Sequence, residues 1–271
     1  MHRRAFLGAM AGGLLAAPLV VEAQPAGKVW RIGVLETVPP SLNAVNFDAL
    51  REGLQEFGYV EGKNLAIEYR SADGRPERFP ELASELVRLN VDLIVTRGTP
   101  AALAAKHATG SIPVVMASSG DPVTSGVVAG LARPGGNITG MSADATEIEG
   151  KRLELLKQML PRASRIAGLF NMSNPVAHSQ WKETEIGARA LRLHVQLFDV
   201  RKPEEFSRAL EAAIRQRADA MVVGLDTLFQ AHRQALVDVV TKHRLPAIYQ
   251  SREFVDIGGL IAYAVSYPHM Y

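Results

Sequence analysis

The sequence predicts an α/β protein of two similar Rossmann-like parallel-sheet lobes joined by a hinge. Three observations predict it. Short apolar runs alternate with longer amphipathic stretches along the chain. The alternation breaks after Asn137-Ile138-Thr139-Gly140 and starts again at Arg165. Finally, Asp92-Leu-Ile-Val-Thr96, a helix and Ile112-Pro-Val-Val-Met116 have a later counterpart in Asp219-Ala-Met-Val-Val223, a helix and Leu245-Pro-Ala-Ile-Tyr249. A pattern repeated at a period of about 130 residues points to two units of one architecture, although any α/β chain repeats such pieces.

The elements follow in order. Trp30 to Leu35 reads as a buried strand, and a helix runs from about Asn43 to Phe57. Its apolar positions Phe47, Leu50, Leu54 and Phe57 lie three or four apart, on one helical stripe. Gly58 stops that helix, and Asn64 to Tyr69 is the second strand. Phe79 to Leu89 is helical, Asp92 to Thr96 a strand, Pro100 to His107 a helix and Ile112 to Ala117 a strand. A long helix from about Ala145 to Met159 ends at Pro161 and joins the lobes. The second series has strands at 165–170, 194–199, 218–224, 246–249 and 259–263, with helices at 175–191, 203–216 and 227–243. Strands separated by helices imply parallel βαβ units, each sheet covered on both faces.

The first residues carry a separate signal. His2-Arg3-Arg4 is followed by an uncharged run from Ala5 to Val21, and Val21-Glu22-Ala23 fits a signal-peptidase site. The expected division is therefore a secretory signal at 1–23, a first lobe at 24–142, a crossover helix and hinge at 143–164, and a second lobe at 165–271. The apolar run is short for a membrane span and holds three glycines and a proline; a retained anchor helix is the competing reading. Arg3-Arg4-Ala5-Phe6-Leu7 also fits the core of a twin-arginine signal. The chain has no cysteine, which removes lipidation, disulfides and thiolate chemistry. Its net charge of +2 gives no nucleic-acid footprint. The expected location is periplasmic, unlipidated, with no nucleic acid as partner.

Ligands of open parallel sheets bind beyond the carboxyl ends of the strands. The loops there contain the candidate ligand-binding residues: Glu36, Thr99, Ser118, Ser119 and Asp121 in the first lobe, and Asn171, Asp226, Tyr249 and Glu253 in the second. Thr99-Pro100 and Asn174-Pro175 each set a capping side chain before a proline that fits the first helical turn. The helix starts suit a carboxylate, and Asp121, Asp226 or Glu253 could meet an ammonium. Each residue also has a plainer explanation: Thr99, Asn174 and Asp121 as helix caps, Glu36 and Glu253 as solvated loop acids. Aromatic walls for a ligand could come from Tyr249, Phe170 or Phe229.

Signatures of catalysis are missing from the sequence. Gly150-Lys151 lacks the rest of a phosphate-binding loop, and no G-x-G-x-x-G follows the first strand. No G-x-S-x-G elbow occurs, and the seven histidines show no H-x-x-x-H spacing. No catalytic residue, metal site or cofactor is expected.

Gly98-Thr-Pro-Ala-Ala-Leu-Ala-Ala-Lys106, Ile112-Pro-Val-Val115, Asp121-Pro-Val123 and Gly130-Leu-Ala-Arg-Pro-Gly-Gly-Asn-Ile-Thr-Gly140 carry a resemblance. So do Phe57-Gly-Tyr-Val-Glu-Gly-Lys-Asn64 and Pro80-Glu-Leu-Ala83. The chain resembles the ABC transporter substrate-binding family related to tryptophan- and tyrosine-binding proteins, from about Val29 to Tyr263. The resemblance implies a type I periplasmic-binding-protein fold that holds a small, amino-acid-like solute between its lobes. It also implies delivery to an ABC permease in the membrane, without catalysis and as a monomer. The family pocket would fall on Thr99, the Ser118-to-Asp121 loop, Asn171, Asp226 and Tyr249. Members usually continue beyond Gly259-Gly-Leu-Ile-Ala-Tyr263 with a segment that crosses back, so a C-terminally short member is expected. Competing functions are a ligand-sensing module signalling to a membrane partner and an exported α/β enzyme.

Overall fold

The structure is a computed structural model and describes residues 27–143 and 148–271. The signal reading at 1–23 lies outside the described residues.

Trp30–Glu36 forms β1, Ala44–Glu56 α1, Leu65–Ser71 β2, Phe79–Arg88 α2, Leu93–Arg97 β3, Thr99–Ala108 α3, Val114–Ser119 β4 and Ile138–Ser142 β5. Ile148–Met159 (α4) leads into the second series: β6 Arg165–Phe170, α5 Pro175–Ala190, β7 His194–Asp199, α6 Phe206–Arg215 and β8 Ala220–Val223. It closes with α7 Thr227–Ala231, α8 Arg233–His243, β9 Ala247–Tyr249, α9 Arg252–Val255 and β10 Ile261–Ala262.

Two five-stranded sheets result, ordered β2-β1-β3-β4-β5 and β7-β6-β8-β9-β10, with every pair parallel. The two orders are the same topology, which is the repeat read in the sequence. The likeness extends to single residues. Asp92 accepts from the Arg31 amide at 2.8 Å, and Asp219 accepts from the Ser164 and Arg165 amides at 2.7 and 2.9 Å. In each lobe an aspartate before the third strand thus ties down the start of the first.

Parallel sheets need cover on both faces. In lobe one, Leu35, Ile94 and Met116 pack on α2 and α3, while Val34, Val95 and Ala117 pack on α1 through Phe47 and Leu50. In lobe two, Leu169, Met221 and Val223 pack on α6 and α8, and Ile166, Val222 and Ile248 pack on α4 and α5. The crossover helix α4 therefore belongs to the core of lobe two. Its Arg152 donates to Glu149 Oε1 at 2.6 Å and through Nε to the Tyr263 carbonyl at 2.9 Å, with both charged side chains fully buried.

Three local readings differ from the sequence expectation. β5 was not expected: only Ile138 at its start is buried, so its pattern is that of a half-exposed edge. The helix expected at 227–243 breaks at His232, whose φ of −108° and ψ of 28° leave the helical region. After β10 the chain does cross back. Tyr267 is buried in the cleft, and Tyr271 packs beside Ile32 and Val34 and donates its hydroxyl to Glu36. Among the described residues, no helix is long and apolar enough to cross a membrane.

Candidate functional site

In a sheet ordered 2-1-3-4-5 the crevice opens where the strand order reverses, between the first and third strands. Here those crevices lie between β1 and β3 and between β6 and β8, and the two face each other. The cavity between them is lined by Thr37, Arg97, Gly98, Thr99, Pro100, Ser118 and Gly120 from lobe one. Lobe two contributes Asn174, Val176, Leu225, Asp226, Thr227 and Gln230, and the return crossing contributes Tyr267. Its volume is about 40 Å³.

The lobes meet closely because glycine stands at the contacts. A Cβ on Gly120 would lie 2.5 Å from a Val176 methyl. Gly98, at φ +86°, would bring one to 3.2 Å from a Thr227 methyl. Two polar contacts also cross the gap: Arg97 Nη2 lies 3.6 Å from Glu253 Oε1, and Arg233 Nη2 donates to the Leu42 carbonyl at 3.2 Å.

On the lobe-one wall, α3 begins at Thr99 with no side chain capping its first turn. The free amides and helix dipole there favour an anion. Thr99 Oγ1 instead accepts from the Gly120 amide at 3.1 Å and bonds Ser119 Oγ at 3.2 Å, fixing the loop after β4 against α3. Arg97 is buried beneath this corner. It donates to Asn43 Oδ1 at 2.9 Å and lies 4.7 Å from the centre of the Tyr267 ring. Glu36 sits behind it, accepting from the Thr37 amide at 2.9 Å and from Asn43 at 3.0 Å. Burial raises the Glu36 pKa, and the Arg97 charge opposes that rise.

On the lobe-two wall Asp226 caps α7, accepting from the Leu228 amide at 2.7 Å. Asn171 and Asn174 also donate to it, at 3.1 and 2.8 Å. All its donors are neutral, and among the described residues no cationic side chain pairs with it. Burial accordingly raises its pKa. Two further polar atoms are buried here without a partner, Thr227 Oγ1 and Gln230 Nε2. A buried polar atom without a partner costs about 1–3 kcal/mol, so both are available to a ligand.

The structure brings Thr99, Ser118 and Asp226 to the cavity wall, with Glu36, Ser119 and Asn171 directly behind it and Glu253 at the lobe contact. Two expected residues stand elsewhere. Asp121 caps its own turn, accepting from the Val123 and Thr124 amides at 3.2 and 3.0 Å. Tyr249 is stacked on Phe254 at 4.9 Å inside the lobe-two core, because its position in β9 points into that face. Arg97, Thr227, Gln230 and Tyr267 were not expected. A charged residue ending the apolar strand Leu93–Arg97 was the available signal for the first.

Comparisons with known proteins agree with this architecture. A family model for ABC transporter substrate binding proteins matches residues 31–270. A tyrosine-binding protein of Clostridioides difficile is 29% identical over 240 residues, covering 88% of this chain and 68% of the relative. Among solved structures, a conserved domain protein from Vibrio cholerae is 26% identical with a TM-score of 0.83, covering 90% of this chain and 81% of that one. An ABC domain from Streptococcus pneumonia in complex with L-Trp is 27% identical with a TM-score of 0.81, covering 89% and 80%. A leucine-binding protein from Thermotoga maritima, 14% identical with a TM-score of 0.61 over 85% and 67%, shares the fold alone. The fold is that of type I periplasmic binding proteins. Proteins of this family bind small-molecule solutes on the periplasmic or extracellular side and work with ABC permeases. The chain belongs to the ABC transporter substrate-binding protein family.

Proposed function

We propose that the cleft between the lobes takes an amino-acid-like zwitterion, which the closed protein carries to an ABC permease without chemical change. One observation carries this reading. Asp226, a buried carboxylate with no cationic partner among the described residues, lines the same cavity as the uncapped start of α3. A buried charge without a counterion is costly. An ammonium would supply that counterion, and a carboxylate would meet the α3 amides and the unpartnered Thr227 hydroxyl. The named ligands of the similar proteins, tyrosine and L-Trp, belong to the same chemical class. In this reading residues 24–142 and 165–271 are the two lobes, joined through 143–164, whose helix α4 is packed on the second lobe. The chain acts as a monomer in the periplasm after its signal at 1–23 is removed.

Titration calorimetry against the common amino acids, paired with small-angle scattering, tests the proposal. The expected result is 1:1 binding with contraction of the protein and complete recovery of the ligand. Chemical turnover of the bound molecule, or no binding by any amino acid, would contradict it.

A further inference from the structure

The aromatic residues expected to flank a ligand are all committed to the core of lobe two. Tyr249 stacks on Phe254, Phe170 packs edge-on to Trp181 at 5.6 Å, and Phe229 packs against Phe206 at 6.0 Å. Among the described residues, the one aromatic side chain lining the cavity is Tyr267. It arrives from outside both sheets, on the return crossing.

That ring is held from several directions. The Arg97 guanidinium lies against its face, and only 6% of the residue is exposed. Upstream, the Tyr263 carbonyl is tied to Arg152; downstream, His269 Nδ1 bonds Ser266 Oγ at 2.6 Å. The opposite walls have little room to retreat while the lobes are shut, since Val176 and Thr227 already rest on Gly120 and Gly98. The space left is about 40 Å³. A space of that size holds little more than a water, so the lobes part to admit any amino acid; an aromatic ring, which takes nearer to ~150 Å³, needs the Tyr267 ring moved aside as well. The side chain of an aromatic ligand and the Tyr267 ring therefore compete for one volume.

We propose that Tyr267 is the specificity-determining wall of the cleft and restricts the ligand to amino acids with small side chains, such as glycine, alanine and serine. The inference rests on the reading that the cleft binds an amino acid. It separates this chain from the similar proteins, one named for tyrosine and one solved in complex with L-Trp.

The test is calorimetric titration of the full chain and its Tyr267→Ala and Tyr267→Phe variants. The probes are glycine, L-alanine and L-serine against L-tyrosine and L-tryptophan. The wild type is expected to bind the best small amino acid at least tenfold more tightly than either aromatic one. Tyr267→Ala should gain at least tenfold for the aromatic pair, and Tyr267→Phe should keep the wild-type order. Should circular dichroism show Tyr267→Ala unfolded, Tyr267→Leu replaces it, with the same shift in preference expected. A wild type that binds L-tyrosine or L-tryptophan as tightly as the small set overturns the inference. So does an unchanged ratio in the folded variant. A wild type that binds no amino acid at all overturns the proposed function itself, and this inference falls with it.

Discussion

Arg152→Ala is expected to lower the unfolding free energy by about 3–5 kcal/mol, the cost of breaking a buried ion pair from one side. Both members of the pair are fully buried on α4, so truncation leaves the Glu149 carboxylate in a low-dielectric interior without a counterion. Burial already outweighs Arg152 and pushes the Glu149 pKa up to about 7. Between the ordinary value of 4.5 and that value, the folded protein binds more protons at this site than the unfolded chain. Stability contributed by Glu149 is therefore fully present below pH 4.5 and lost as pH rises through about 7. Without Arg152 the loss continues to higher pH, so the deficit of the variant should be larger at pH 8 than at pH 5. Urea unfolding at both values measures this. Replacing the pair together, as Glu149→Leu with Arg152→Met, should recover most of the stability, because the apolar pair carries no desolvation cost. A deficit under about 1 kcal/mol at pH 8 would show that the pair is not buried in solution. Arg152 also holds the Tyr263 carbonyl, so its loss loosens the crossing that brings Tyr267 to the cleft.

Asp226→Asn should weaken the binding of an amino acid by about thirtyfold to several thousandfold, the equivalent of 2–5 kcal/mol for truncating one partner of a buried charge pair. The substitution keeps the α7 cap and the bond from Asn171, both made to Oδ1, yet turns an NH2 group toward the donor Asn174. A local stability cost of about 1 kcal/mol is expected from that clash of donors. Charge and structure are separated by a second ligand, the same molecule without its amine. That analogue should bind the variant no more weakly than the wild type, since it loses no partner and sheds the repulsion of the carboxylate. Acidification gives an independent readout. The Asp226 pKa is raised by burial, so affinity for the amine-bearing ligand should fall as pH drops through it, and affinity for the deaminated analogue should not fall with it. Equal losses for the two ligands would assign Asp226 a purely structural role.

The architecture was legible because parallel sheets leave a local trace. Ile32 through Glu36 is buried without interruption, and an apolar run such as Trp30–Leu35 announces that. β5 left no such trace, since an edge strand pairs on one side and exposes Thr139, Gly140 and Met141. The break at His232 had neither proline nor glycine to signal it. For the site, the rule that ligands gather after the carboxyl ends of strands led to Glu36, Thr99, Ser118 and Asp226. It could not say which way a side chain turns, and Tyr249 turns into the core. Nor could local pattern pair Arg97 with Tyr267, because their contact exists only once the chain has crossed back to lobe one.

The most direct measurement is the identity of the small molecule retained by protein purified without denaturation, read by native and denaturing mass spectrometry. The expected result is one molecule per chain that carries both an amine and a carboxylate, retained by the wild type and absent from Asp226→Asn. A chain that retains nothing and binds no amino acid, or a ligand held equally by the variant, would contradict it.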